Sequence, residues 1–199
     1  MTSLALFLLR VAVGGLLAGH GAQKLFGWFE GPGPEGASTF MASLKLKPAR
    51  EWAFVAGISE FAGGGLTLLG LLNPIGPLLA IGSMTTATLT AHRGKPIWNT
   101  KGGAELPVVN MAALAAVVLA GPGLMSLDSI FRTRVPWWFS FLTLSAVGAG
   151  VAAAVGPEPI ALPAPARERV GGPVPWNGDT GRREQEPSTV EPAEEEATR

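Results

Sequence analysis

Residues 4–29 form a long apolar stretch that carries three ionisable side chains, Arg10, His20 and Lys24. About 20 apolar residues allow an α-helix to cross the roughly 30 Å hydrocarbon core of a bilayer, so this stretch is long enough to span it. At about 100° per residue, the three ionisable side chains fall on one side of the helix. Charged groups at this depth usually face other helices or a cavity, so the rest of the chain is expected to cover that side. Snorkelling towards the helix ends is the alternative for Arg10 and Lys24.

The composition also favours a membrane protein. Of the 199 residues, 47% are hydrophobic and 15% are charged, whereas soluble domains contain about 25% charged residues. Residues 1–155 carry ten Lys and Arg against six Asp and Glu, a net charge of +4, while residues 156–199 carry five against nine, a net charge of −4. The chain has no cysteine, which excludes disulfide bonds and cysteine-ligated iron–sulfur clusters within it.

Four further apolar stretches follow the first, and breakers rich in glycine and proline separate them. The sequence predicts spans over residues 52–72, 74–92, 104–120 and 137–155, and a short interfacial helix over residues 38–47. The predicted fold is therefore an all-α integral membrane protein in three parts. These are a four-helix transmembrane bundle (1–131), an additional fifth transmembrane helix (132–155) and a disordered, acidic, Pro- and Glu-rich tail (156–199). Gly148 and Ala152 in the fifth helix have the spacing typical of close helix contact.

The distribution of basic residues predicts the orientation in the membrane. With five spans, the loops after the first and third spans lie on the same side as the tail. Those loops hold Lys45, Lys47, Arg50, Arg93, Lys95 and Lys101, whereas the opposite side holds Arg132 and Arg134. The positive-inside rule therefore predicts a multi-pass protein of the cell membrane with a cytoplasmic tail and an external amino terminus. The apolar start is expected to be a retained span, since no basic residues precede it.

The same topology gathers ionisable residues near the cytoplasmic face. His20 and Glu60 each lie about 13 Å in from that end of their spans, at 1.5 Å per residue. Lys24, His92 and Glu105 are expected shallower on the same side. One polar pocket made by these five residues from four helices would let Glu60 ionise beside a cation.

Arg10 and Asp128 are expected near the opposite face, where they are predicted to form a structural ion pair. For the five-residue cluster, three interpretations stay open. The cluster either holds ion pairs that only fix helix register, or binds a quinone or small polar ligand, or coordinates a metal. No metal site is predicted, because the two histidines lack a metal-binding spacing. The remaining metal alternative is haem, with His20 and His92 as its axial ligands.

Several pieces of the chain form a pattern that resembles one known family. The pieces are Leu8-Leu9-Arg10, His20-Gly21-Ala22-Gln23-Lys24-Leu25-Phe26-Gly27, Glu60 with Gly63-Gly64-Gly65, His92, and Gly121-Pro122-Gly123 before Ser126-Leu127-Asp128. Together they resemble the DoxX family of bacterial membrane proteins over residues 4–131. The resemblance implies a four-helix membrane domain and an association with membrane redox complexes. The family is similar to the subunits of a thiosulfate:quinone oxidoreductase and is linked to oxidative-stress partners.

The leading functional hypothesis is an accessory membrane subunit of a redox or oxidative-stress system, without catalytic activity of its own. Its polar pocket is expected to hold a quinone or small polar ligand, and its partners are the lipid bilayer and a soluble or membrane redox protein. A homo-oligomer stays open, and no nucleic-acid partner is predicted. Two alternatives remain: a carrier for a small solute or proton, and a non-catalytic membrane scaffold that recruits a soluble partner.

Overall fold

A computed structural model describes residues 2–156, and every regular element in this range is helical. The elements are α1 (Thr2–Phe26), α2 (Gly33–Ser43), α3 (Ala49–Leu69), α4 (Ile75–Leu89), a 3₁₀ turn (Asn99–Lys101), α5 (Glu105–Ala120), α6 (Leu127–Phe131) and α7 (Trp137–Val155). The predicted all-α fold is therefore confirmed for the described residues. The predicted disordered tail lies, apart from residue 156, outside them.

Three of these helices, α1, α3 and α7, are long and apolar enough to cross a membrane. Helices α4 and α5 are also apolar but contain 15 and 16 residues. At 1.5 Å per residue they measure about 22–24 Å, shorter than the roughly 30 Å hydrocarbon core. The fold is thus that of a helical membrane protein, while the count of five spans stays a prediction.

Two helices end earlier than their apolar runs, because left-handed glycines stop them. Helix α1 ends at Phe26 rather than Phe29, and Gly27 after it has φ +70°. Helix α3 ends at Leu69, and Gly70 follows with φ +61°. The amides of Gly70 and the next residue bond back to carbonyl groups of the last turn at 3.1 and 3.0 Å, a common glycine-terminated helix end.

Helix α2 begins at Gly33, five residues before the predicted interfacial helix, and ends at Ser43. Pro34 lies in its first turn, where the missing amide hydrogen costs no hydrogen bond. The Gly- and Pro-rich segment therefore ends one helix and also starts the next.

Helix α3 is the centre of the fold, with α1 on one side and α4 on another. A methyl group placed at Gly21 of α1 would lie 2.6 Å from Cα of Phe61. On the other side of α3, one at Gly63 would lie 2.9 Å from the backbone of Ala80 in α4. The backbones of these helices are therefore in near contact, as small residues permit in membrane helices.

Helix α5 packs on α4 and also contacts α1, so α1, α3, α4 and α5 form a bundle. Its core contains Val13, Leu17, Ala80, Met84 and Leu114. The structure thus supports these four helices as one packed unit. Because α4 and α5 are short, the crossing of the membrane by all four helices stays a prediction.

Helix α7 lies outside the bundle and packs against α4. Val147 of α7 lies directly over Gly82, where a methyl group would approach its Cγ1 to 2.6 Å. The last turn of α7 reaches a second apolar cluster, in which Ala154 joins Met41 of α2 and Ala53 of α3. The close helix contact predicted for Gly148 is wrong within the described chain, because no neighbouring atom there lies within 4 Å of a methyl group placed on it.

Candidate functional site

Lys24 of α1 and Glu60 of α3 form a salt bridge between Nζ and Oε2. Glu60 is buried, with 4% of its surface exposed, and its second oxygen, Oε1, accepts a hydrogen bond from Oγ of Ser83 in α4 at 2.9 Å. Both oxygens of a buried carboxylate thus have partners, which a charge in this environment requires. Three helices contribute one side chain each to this polar centre.

The glycines of α3 bring these groups together. Gly57, one turn before Glu60, is so close to α1 that a methyl group would lie 2.7 Å from the side chain of Leu25 and 3.5 Å from Cβ of Lys24. A larger residue at this position would therefore push α1 and its lysine away from Glu60. The sequence contains this signal as glycines on both sides of Glu60, the one charged residue of α3 after Glu51.

Lys24 keeps hydrogen-bonding capacity beyond its salt bridge. An ammonium group has three N–H donors, and Glu60 is the partner of one of them. The lysine side chain is 23% exposed and lines the cavity described below, and its Nζ has no second hydrogen-bond partner within residues 2–156. Asn110 of α5 also keeps hydrogen-bonding capacity. Its amide nitrogen has one weak partner, Sδ of Met84 at 3.9 Å, and its oxygen has no hydrogen-bond partner within residues 2–156.

These groups line a partly open cavity of about 630 Å³. This volume is within the range of roughly 300–1,000 Å³ that is usual for small-molecule sites. Most of the lining is apolar and comes from α3, α4, α5 and α7 and from the end of α2. The polar side chains of the lining are His20, Lys24, Ser59, Glu60, Ser83, Thr86, Thr90, His92, Asn110 and Thr143.

Four of the five residues predicted for the polar pocket line this cavity: His20, Lys24, Glu60 and His92. His20 is exposed, and its Nδ1 donates to Oε1 of Gln23 at 3.0 Å. His92 donates from Nδ1 to the carbonyl oxygen of Gly102 at 2.7 Å. These four residues therefore share one cavity. Among them, Lys24 and Glu60 are the only pair in direct contact within residues 2–156.

Glu105 does not line the cavity. Its Oε2 accepts a hydrogen bond from the amide of Asn99 at 2.8 Å, and its own amide donates to the carbonyl oxygen of Ile97 at 2.9 Å. The carboxylate is turned towards the loop before α5, where backbone amides are available. Glu105 thus orders this loop and is not part of the predicted pocket.

Sequence analysis did not identify Ser83 and Asn110 as site residues. Both are neutral side chains in apolar helices, and such residues commonly bond within their own helix. The contact between Ser83 and Glu60 becomes evident only once α3 and α4 are packed together. The one signal in the sequence is at Asn110, a polar residue within an otherwise apolar turn; Ser83 is followed closely by Thr85 and Thr86 and does not stand out.

Arg10 and Asp128 are both buried, but they do not form the predicted direct ion pair. The two oxygens of Asp128 accept hydrogen bonds from the amides of Leu72 at 2.9 Å and Asn73 at 2.8 Å. Arg10 donates instead from Nη2 to the carbonyl oxygen of Met125. The carboxylate closes the turn between α3 and α4, and that geometry directs it towards backbone amides rather than the guanidinium group.

No group of three or more His, Cys, Asp or Glu side chains within residues 2–156 is arranged to hold a metal ion. The described part of the chain is instead a set of apolar helices with a buried Lys–Glu pair on the wall of a cavity. These features define a helical membrane protein with a polar site among its helices.

The sequence model of one family, DoxX, matches residues 5–93. The chain therefore carries a DoxX domain, and the predicted resemblance is confirmed over those residues. The match covers α1 to α4 and includes Lys24, Glu60 and His92, whereas the resemblance was expected to extend to residue 131. Helices α5, α6 and α7 lie beyond it. No curated protein and no solved structure matches the chain.

Proposed function

We propose that the protein binds a small amphipathic molecule, a quinone or another carbonyl-bearing compound, beside Lys24 and Glu60. We further propose that it acts as an accessory subunit of a membrane redox or oxidative-stress system. The observation that carries the proposal is a buried ion pair with unused donors on the wall of a largely apolar cavity.

The chemistry of the wall supports a ligand with hydrogen-bond acceptors. Lys24 has N–H groups left for an acceptor, and Asn110 offers both a donor and an acceptor. A carbonyl oxygen accepts such hydrogen bonds without introducing a new charge into the membrane. A ring that carries carbonyl groups, with an otherwise apolar surface, therefore fits the polar centre and the apolar lining together.

A purely structural role for the ion pair predicts a different outcome. Burying a charged pair is often no more stabilising than burying apolar side chains of similar volume. If the pair only fixed helix register, its loss would affect stability and leave small-molecule binding unchanged. The two interpretations are therefore separable by measuring binding and stability on the same variants.

Binding of decylubiquinone to the full chain in lipid nanodiscs tests the ligand proposal. Trp52 lines the cavity, so a bound quinone should quench its fluorescence, and Trp52→Phe should remove most of that quenching. Lys24→Met should weaken binding by about 10–100-fold, because hydrogen bonds to charged groups contribute about 1.5–3 kcal/mol. Glu105→Gln is the matched control, since Glu105 lies outside the cavity and should leave the affinity unchanged. Equal affinity of the wild type and Lys24→Met would contradict the proposal.

The accessory role is tested separately. The protein alone should leave the ultraviolet spectrum of the added quinone unchanged over time, both with and without a soluble thiol reductant. Turnover above that of protein-free nanodiscs would show a catalytic protein and would overturn this part of the proposal.

A further inference from the structure

The lining of the cavity extends beyond the polar centre over residues of α4 and α7; this part of the lining is here called the chain groove. Its walls are Leu79, Gly82 and Thr86 of α4 and Leu142, Thr143, Ala146, Val147, Gly150 and Val151 of α7. Along α7, from Leu142 to Val151, the groove is about 13 Å long at 1.5 Å per residue. It joins the polar centre through Gly82 and Ser83, which are neighbours in α4.

The side chains of the chain groove offer no free hydrogen-bond donor to a ligand. Its two hydroxyl groups already donate to carbonyl oxygens of their own helices, Thr86 to Gly82 at 3.0 Å and Thr143 to Phe139 at 2.9 Å. The other wall residues are apolar or glycine. A largely apolar stretch of lining that adjoins a polar centre in the same cavity matches a molecule with one polar end and one hydrocarbon chain.

We infer that the chain groove binds the hydrocarbon chain of the same ligand whose polar end lies beside Lys24. This inference rests on the proposed function and names the ligand class: a lipid-soluble molecule with a carbonyl-bearing ring and a long alkyl or prenyl chain. Helix α7, which lies beyond the DoxX match, then selects ligands by their chain. Its Val147 contacts α4 at Gly82 and fixes the spacing of the two walls.

Two glycines of α7 allow a matched test. No neighbouring atom in the described chain lies within 4 Å of a methyl group placed at Gly148 or at Gly150, so both positions have open space for the first atom of a larger side chain. Gly150 lines the cavity and Gly148 does not. Leucine at position 150 would therefore occupy space in the chain groove. Leucine at position 148 adds the same side chain to the same helix but lies outside the groove.

The experiment compares two probes on the full-length variants in nanodiscs of one lipid composition. The probes are decylubiquinone and its chainless parent, 2,3-dimethoxy-5-methyl-1,4-benzoquinone. Gly150→Leu should weaken binding of the decyl probe by about tenfold relative to Gly148→Leu, because the leucine takes the place of several methylene groups and removes their packing contacts with the protein. The chainless probe should bind both variants equally. Partition of each probe into lipid cancels, because the same probe and membrane are used for both proteins.

The outcomes separate this inference from the function on which it rests. If the decyl probe binds both leucine variants equally, the inference is overturned and the proposed function stands. Equal losses for the two probes in Gly150→Leu would also overturn it, because the leucine would then block the polar end. If neither probe binds the wild type, the proposed function itself fails. Should Gly150→Leu not fold, Ala146→Leu, one turn earlier on the same wall, is compared with Gly148→Leu.

Discussion

Gly14 of α1 and Gly64 of α3 lie so close together that neither has room for a methyl group. A Cβ atom at Gly14 would lie 2.8 Å from the carbonyl oxygen of Gly64, and one at Gly64 would lie 2.7 Å from that of Gly14. This contact fixes the distance between α1 and α3. The Lys24–Glu60 pair lies about three turns further along α1 and about one turn earlier along α3, and it depends on that distance.

The glycine contact should therefore control stability. Gly64→Ala should lower the free energy of unfolding in detergent by about 1–3 kcal/mol, the usual cost of overfilling a tight contact. Gly65→Ala is the matched control, because no neighbouring atom of residues 2–156 lies within 4 Å of a methyl group there. It should have little effect or a slight stabilising one. Equal unfolding midpoints for the two variants would show that α1 and α3 separate at no cost.

Asp128 should stabilise the turn between α3 and α4. Asp128→Ala would leave the amides of Leu72 and Asn73 without a partner, and each unsatisfied buried donor costs about 1–3 kcal/mol. Ser129→Ala is the control, since the neighbouring Ser129 is exposed and its loss should cost at most about 0.5 kcal/mol. The measurement is unfolding of the detergent-solubilised protein. If Asp128→Ala left the free energy of unfolding unchanged, water would be the new partner of the two amides in place of the carboxylate.

Glu105 should affect the loop before α5 and not the cavity. Glu105→Ala removes the acceptor for the amide of Asn99, so amide hydrogen exchange at Asn99 and its neighbours should become faster. Exchange in the middle of α3 is the internal reference and should stay unchanged. Slow exchange at Asn99 in the variant would show that the remaining loop hydrogen bonds hold this segment alone.

The orientation of the chain is a prediction that a reporter fusion can test. The basic residues favour a cytoplasmic position for the end of α7 and the tail that follows. Alkaline phosphatase fused after Arg199 should therefore be inactive, and a fluorescent protein at the same site should be bright. Strong phosphatase activity would reverse the orientation.

Much of the fold is predictable from the sequence, because apolar runs and their breakers determine where helices form. The ends of α1 and α3 were missed, since the apolar run continues past Gly27 and Gly70 while the backbone turns left-handed at these glycines. Hydropathy measures the preference of side chains for lipid and carries no information on the sign of φ.

The polar residues were predicted less completely, because charge and depth do not determine which partner a group selects. Glu60 and Lys24 were predicted as neighbours in one pocket and form a salt bridge. Asp128 was predicted to pair with Arg10 and Glu105 to line the polar pocket, whereas both accept hydrogen bonds from backbone amides. Backbone amides that lack a backbone partner occur at every turn. Only the structure shows which of these amides lie within hydrogen-bond distance of a given carboxylate.

Glu60→Gln separates a ligand site from a structural ion pair. Glutamine keeps the size of the side chain and an oxygen for Ser83, but it removes the negative charge beside Lys24. If the pair orients the Lys24 donors towards a bound carbonyl group, this variant should lose about tenfold or more in affinity for decylubiquinone, the value of a charge-assisted hydrogen bond. Ser83→Ala is the companion variant, since it removes the second partner of Glu60 and leaves the salt bridge in place. It should weaken binding less than Glu60→Gln, because Lys24 keeps its orientation. A Glu60→Gln protein that melts at a lower temperature and binds the quinone normally would leave the ion pair with a structural role alone.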